Sequence, residues 1–167
     1  MSLNRLFKHL LIDQWQLRRH FPSAVLDSIE QAIQRSERLH QGEIRCVIEG
    51  ALPTAALWQG QTSRDRAIEV FAQQRVWDTE SNSGVLLYLL LADRAVEIVA
   101  DRGVHAKVGV AQWTTICQAM QAELAQGHYQ GGVLLGVEAI STQLIAHYPR
   151  ADSGAKADEL PNRPTLL

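Results

Sequence analysis

Asp78, Glu80 and Asn82 place oxygen-bearing side chains at alternate positions just ahead of an apolar run, Val85 to Leu91, and Asp101 follows a second apolar stretch, Ala95 to Ala100. Alternating oxygen ligands in a loop suit a hard cation such as Ca2+ or Mg2+, which takes several of them. The break Ala92-Asp93-Arg94 between the two stretches is too short for anything but a hairpin. Pairing Leu91 near Ala95 then sets Gly84 opposite about Arg102, so both acidic segments project from one end of a sheet and Asp93 lies at the other. Asp78, Glu80, Asn82 and Asp101 are therefore the candidate metal ligands, and Asp78 with Asp101 the candidate catalytic carboxylates. An EF-hand is excluded, because its Gly would fall on Ser83 and its bidentate Glu on Leu89. The same residues also fit a plain turn, with Asp78 and Asn82 capping it and Asp101 pairing with Arg102 or Arg75.

Other chemistry is thinner. The six histidines have no ligand spacing. There is no GxSxG, P-loop or HExxH pattern. Cys46 is no phosphatase nucleophile of the Cys-x5-Arg type, because Leu52 stands where the Arg is required, and no Asp-x-Asp pair supports aspartyl-phosphate chemistry. His105 and Lys107, just beyond Gly103, either complement a phosphate or form a solvated helix start.

The elements that must position these residues follow from periodicity. Leu3 to His20 reads as one amphipathic helix, with Leu3, Leu6, Phe7, Leu10, Leu11 and Trp15 at helical spacing among Arg5, Lys8, Arg18 and Arg19. Residues 1–22 carry a net +3 and the remainder −5. Such a helix either covers the domain's own sheet or lies on an anionic membrane surface or in a partner groove. Pro22 and Ser23 start a second helix with Val25, Leu26, Ile29, Ala32, Ile33 and Leu39 on its apolar face. Glu43 to Glu49 alternates Ile44, Cys46 and Ile48 against Glu43, Arg45, Val47 and Glu49, a strand with one buried face near a sheet edge. A loop with one helical turn spans Gly50 to Gly60. Thr62 or Ser63 then caps a helix to about Arg75, with Ala67, Ile68, Phe71 and Ala72 inward. After the hairpin come a helix from about Ala111 to Gln126 and a buried one from about Gln130 to His147, in which Gly132 and Gly136 permit close approach. The tail from Pro149, with three prolines and no period, is expected to be disordered. Strand, helix, strand implies a right-handed parallel crossover, and the hairpin adds an antiparallel strand, giving a small mixed sheet between helical layers.

A chain of 167 residues, 46% of them hydrophobic, builds one core. The expected organisation is an N-terminal basic helix over 1–22, an α/β domain over 23–148 and a tail over 149–167. Sixteen Lys and Arg against eighteen Asp and Glu remove a global case for nucleic acid. Cys46 and Cys117 sit in apolar patterns as core thiols, which favours a reducing compartment. No run approaches the ~20 apolar residues of a membrane span. Lys8, His9, Asp13 and Gln14 interrupt any signal-peptide core, so a cytoplasmic location, peripheral to a membrane through the first helix, is expected.

The segments SRDRAIEVFAQQRVWDTESNSGVLLYLLLADRAVEIVADRGV, AQWTTICQAM and QGHYQGGVLLGVEAI resemble the TPM domain family. That family takes in thylakoid-lumen acid-phosphatase-like proteins, photosystem repair factors and many bacterial proteins. The resemblance runs from about Ser23 to Tyr148 and is most specific at WDTE-x-N-x-G-V-L and ADRG. It implies a three-layer α/β/α sandwich, divalent-cation binding and, for some members, phosphatase activity, with the acidic site on Asp78, Glu80, Asn82 and Asp101. The chain is expected to depart from typical members in having neither an export segment nor a Gly-rich tail, and it carries Glu80 and Ser83 in the loop. It looks like the family's soluble bacterial branch. Two functions follow as expectations: an accessory or binding module for a membrane-associated partner, holding Ca2+ or Mg2+ at one sheet end, and a metal-dependent phosphatase. A purely structural adaptor is a third.

Overall fold

The computed structural model describes residues 3–12, 14–150 and 158–167. Its centre is the strand β1 (Glu43–Glu49), all seven residues of which are buried. Ile44, Cys46 and Ile48 face one core layer, and Val47 faces a second on the other side of the sheet. Strand β2 (Gly84–Leu90) runs parallel to β1 with Glu43 opposite Gly84 and Glu49 opposite Leu90. Its residues alternate between the layers, with Val85, Leu87 and Leu89 in one and Leu86, Tyr88 and Leu90 in the other. Strand β3 (Ala95–Ala100) returns antiparallel, pairing Leu90 with Ala95 and Val85 with Ala100. A short strand β4 (Thr165–Leu166) lies parallel to β1 on its other side, and the sheet order is β3-β2-β1-β4.

Helices cover both faces, so the three-layer α/β/α expectation holds. The larger layer contains α3 (Ser23–Glu37), α7 (Val110–Ala125) and α8 (Tyr129–His147), with Ile29 and Ile33, Trp113, Ile116 and Met120, and Val133, Val137, Ile140 and Leu144 turned inward. Gly132 and Gly136 let α8 close on α7, Gly136 facing Met120. The opposite layer is built on α4 (Thr54–Trp58) and α5 (Ser63–Gln73), through Leu57, Ala67 and Val70. Thr62 caps α5 reciprocally with Asp65 in a capping box, which offsets two orphan N–H groups.

Several expectations are corrected. The N-terminal helix is two, α1 (Leu3–Leu11) and α2 (Gln14–His20), with residue 13 outside the described residues. Strand β1 is interior to the sheet and has no solvent face, because α5 and the C-terminal segment cover the side that carries Glu43, Arg45 and Glu49. In α5, Val70 is buried while Ile68 is 50% exposed and Ala72 also faces solvent. A seven-residue helix, α6 (Arg102–Val108), follows β3 directly. Of the tail, residues 151–157 lie outside the described residues, but 158–167 are ordered on the sheet, with Leu160 buried in the second core layer and Leu167 N donating to Ile48 O. The register differs from expectation by one residue, so that Asp101, not Arg102, meets Gly84.

That meeting point admits no side chain at Gly84. A Cβ there would collide with the backbone oxygen of Val76. Gly84→Ala is therefore expected to lower the urea midpoint by the equivalent of about 1–3 kcal/mol or more, with an unchanged m-value.

Candidate acidic site at the sheet end

Glu43 opens β1, and its side chain falls on the face that also carries Arg45 and Glu49. Each of these buried charges is met differently. Glu49 accepts from Arg66 Nε and Nη2 at 2.8 and 3.1 Å and from the Tyr88 hydroxyl at 2.7 Å. The carboxylate bonds hold the Arg66 guanidinium firmly charged, and burial followed by the Glu49 contact pushes the Tyr88 phenol far above its usual range. Arg45 donates to Pro161 O at 2.6 Å, to Arg163 O at 2.8 Å and to Gln74 Oε1 and Thr165 Oγ1, so it pins the C-terminal segment. Burial lowers its pKa.

Glu43 meets two further acids. Glu37, in the last turn of α3, Glu43 and Asp158 bring their ligand atoms within 4.8 Å of one another. Glu37 and Glu43 are buried, at 8% and 1% exposed, and Asp158 is exposed. Glu37 Oε1 accepts from Ile44 N at 2.8 Å, which fixes it over the start of β1. Glu43 Oε2 accepts from Leu160 N at 3.4 Å, which ties it to the C-terminal segment. Asn162, 8% exposed, donates from Nδ2 to Asp158 Oδ2 at 3.0 Å. Its Oδ1 is buried and has no hydrogen-bond partner among the described residues. Flipping the amide would turn that oxygen onto the Asp158 carboxylate, so the orientation is set by charge. All four residues line one cavity of about 140 Å³ together with Gln34, Arg38 and Arg150.

This arrangement is a set of oxygens around a small space. Opposed oxygens around a Ca2+ lie roughly 4.8 Å apart, given Ca–O distances near 2.4 Å. Three clustered carboxylates repel one another unless protons or cations intervene. The three carboxylates could hold a divalent cation, with the Asn162 oxygen beside them. Arg38 and Arg150 supply positive charge on the same cavity, with Arg150 Nη1 donating to Arg38 O at 3.2 Å.

The residues singled out in the sequence lie at this same end of the sheet, but Asp78, Glu80 and Asp101 do not form a comparable group of converging ligand atoms among the described residues. Asp78 and Glu80 are exposed, and Asn82 is exposed at a left-handed φ of 46°, a conformation Asn tolerates. The Glu80 backbone N donates to the Glu159 carboxylate at 3.0 Å, so this loop also touches the C-terminal segment. Asp101 closes the hairpin, accepting from Gly84 N at 2.8 Å while its own N donates to Gly84 O at 2.9 Å. Burial pushes its carboxyl above the usual carboxylate range, partly offset by that Gly84 bond. Asp93, set apart at the other end, binds α1 instead. Cys46 and Cys117 are free and their thiols are pushed up to about 12 and about 11, chiefly by burial, so neither is a ready nucleophile.

Sequence reasoning missed Glu37, Glu43, Asp158 and Asn162. The one available signal was the density of charge on the polar side of β1, which needed partners if that side proved to be covered.

Comparison with known proteins agrees with this architecture. The family model for the TPM domain matches residues 20–143. Among solved structures, the BA42 protein of the psychrophilic bacterium Bizionia argentinensis is similar at 28% identity and a TM-score of 0.74, covering 87% of this chain and 94% of that one. The N-terminal domain of a P. gingivalis protein is similar in fold, at 19% identity and a TM-score of 0.63, over 78% of this chain and 82% of that one. The curated proteins contain no match.

The geometry separates the acidic residues by stability. Asp78→Ala and Glu80→Ala, both at exposed positions, are expected to change the unfolding free energy by no more than ~0.5 kcal/mol. Asp101→Ala strands the buried Gly84 N–H and is expected to cost about 1–3 kcal/mol in urea denaturation.

Proposed function

The chain belongs to the TPM domain family, and from that premise we propose that it is a divalent-cation-binding accessory module whose ion sits at the acidic end of the sheet. The observation that carries this reading is the convergence of Glu37, Glu43 and Asp158 on one cavity, which the buried Oδ1 of Asn162, without a partner among the described residues, also lines. An all-oxygen donor set selects a hard cation. Ca2+ is favoured over Mg2+, because Ca2+ tolerates irregular carboxylate geometry and gives up its water more readily. Asp78, Glu80, Asn82 and Asp101 are the competing location for the ion, on the neighbouring loops of the same sheet end. The module serves a membrane-associated partner from the cytoplasm in this reading; no helix among the described residues is long and apolar enough to cross a membrane.

A second reading is favoured by Arg38 and Arg150, which line the same cavity. Two guanidinium groups beside a cation suit a phosphate ester, and a bound cation can supply a Lewis acid and an activated water. Arg38 and Arg150 would hold the phosphate's charge while Glu37 and Glu43 held the metal, giving a metal-dependent phosphatase.

Thermal unfolding with and without cation discriminates these possibilities. Ca2+ at 100 times its dissociation constant is expected to stabilise the protein by about 2.7 kcal/mol. Glu43→Gln and Asp158→Asn should abolish the rise, whereas Asp78→Ala should retain it. No rise with Ca2+ or Mg2+ contradicts cation binding, and a rise lost in Asp78→Ala but kept in Asp158→Asn moves the ion to the competing loop. Turnover of p-nitrophenyl phosphate that is lost in Arg150→Ala and in Asp158→Asn would establish the second reading.

A further inference from the structure

Helix α1 is attached to the domain by Arg5 and His9, with Leu6 packed against the second core layer beside them. Arg5 donates from Nε and Nη2 to Asp93 at 3.0 and 2.7 Å and from Nη1 to Gln61 O at 2.9 Å. His9, 4% exposed, accepts from Leu52 N at Nδ1, at 2.9 Å. Its proton therefore lies on Nε2, which donates to Asp93 Oδ1 at 3.0 Å. The Asp93 carboxyl loses hydration by burial, but the Arg5 and His9 bonds outweigh this and hold it below the usual carboxylate range.

One turn of helix separates Arg5 from His9, and the large apolar residues fall on the roughly opposite side. Leu3, Phe7, Leu10 and Leu11 are 72%, 61%, 62% and 71% exposed, and Trp15 at the start of α2 is 65% exposed. A surface helix ordinarily buries its apolar stripe and shows its polar one. Here most of the apolar stripe of α1 is exposed instead, only Leu6 packing on the core, and an exposed apolar patch of this kind marks an interaction surface. Among the described residues, the exposed charges of α1 and α2 are all positive. Lys8, Arg18, Arg19 and the hairpin-tip Arg94 are exposed, and no described carboxylate pairs with them. Arg19 stacks over the Trp15 ring at 5.3 Å.

We propose that α1 and the start of α2 form an interfacial anchor that lies in the surface of an anionic phospholipid bilayer. Apolar side chains enter the headgroup boundary, Trp15 sits at its polar margin, and the cations meet lipid phosphates. Nine residues of α1 are far too few to span the bilayer. A second copy of the chain is the poorer occupant, because two like-charged patches would face each other. The proposal is independent of the cation site, which lies at the other end of the sheet.

Flotation of the full chain with phosphatidylcholine vesicles, with and without phosphatidylglycerol, tests it. Binding is expected only to the anionic vesicles, and Phe7→Ser combined with Leu11→Ser should abolish it at an unchanged melting temperature, both positions being exposed. Lys8→Glu with Arg18→Glu should weaken it by at least about fivefold per cation. Absence of binding to anionic vesicles overturns the proposal, as does binding indifferent to Phe7→Ser with Leu11→Ser. A dimer in light scattering that the same apolar pair dissociates, without vesicle binding, assigns the face to a second copy and also overturns it.

Discussion

Three ionisable side chains on one covered face of a central strand constrain most of this structure. Glu43, Arg45 and Glu49 of β1 are 1%, 4% and 3% exposed. A buried charge is tolerated only when it is paired or hydrogen-bonded, and removing one partner of a buried pair costs about 3–5 kcal/mol. Glu49 is met by Arg66 of α5 and Tyr88 of β2, which fastens the crossover helix to the sheet. Arg45 gathers two backbone carbonyls from 161 and 163 and the Thr165 hydroxyl, which requires a C-terminal segment to lie along β1. With that segment in place, Asp158 and Asn162 arrive beside Glu43, and the acidic cavity forms as a consequence.

The sheet separates two surfaces of opposite character. At the start of β1 and β2 lie Glu37, Glu43 and Asp158, with the loop of Asp78 and Glu80 beside them. At the far end, the hairpin tip offers Asp93 to Arg5 and His9, and α1 displays its apolar side with Lys8, Arg18, Arg19 and Arg94 around it. Seven strand residues span roughly 23 Å. A bilayer bound at the hairpin end would therefore leave the acidic end open to the aqueous phase.

Hairpin, crossover and core helices were legible because their signals are periodic: Val85 to Leu91 is apolar on both faces, and Trp113, Ile116, Met120 and Leu124 recur at helical spacing. The alternation in β1 said only that its two faces differ. It could not say that water is excluded from both, since that depends on a segment more than a hundred residues away. The tail misled for a related reason. A two-residue strand has no period, and Pro161 and Pro164 argue for disorder unless the strand lies at a sheet edge, where proline is tolerated. The sheet end that collects acidic groups was legible from hairpin register, but its converging ligands come from three separate segments and only Glu43 lies in a strand. Asp101, read as a ligand, also accepts the Gly84 N–H.

In the function proposed, the C-terminal segment lies over the sheet end and completes the cation site. Amide hydrogen exchange over residues 158–167, followed with Ca2+ and again after chelation, addresses it most directly. Slower exchange is expected at Leu160 and Leu167 when Ca2+ is bound, with the β2–β3 hairpin changing far less. Identical exchange in the two conditions, or a slowing confined to 78–82, would contradict it.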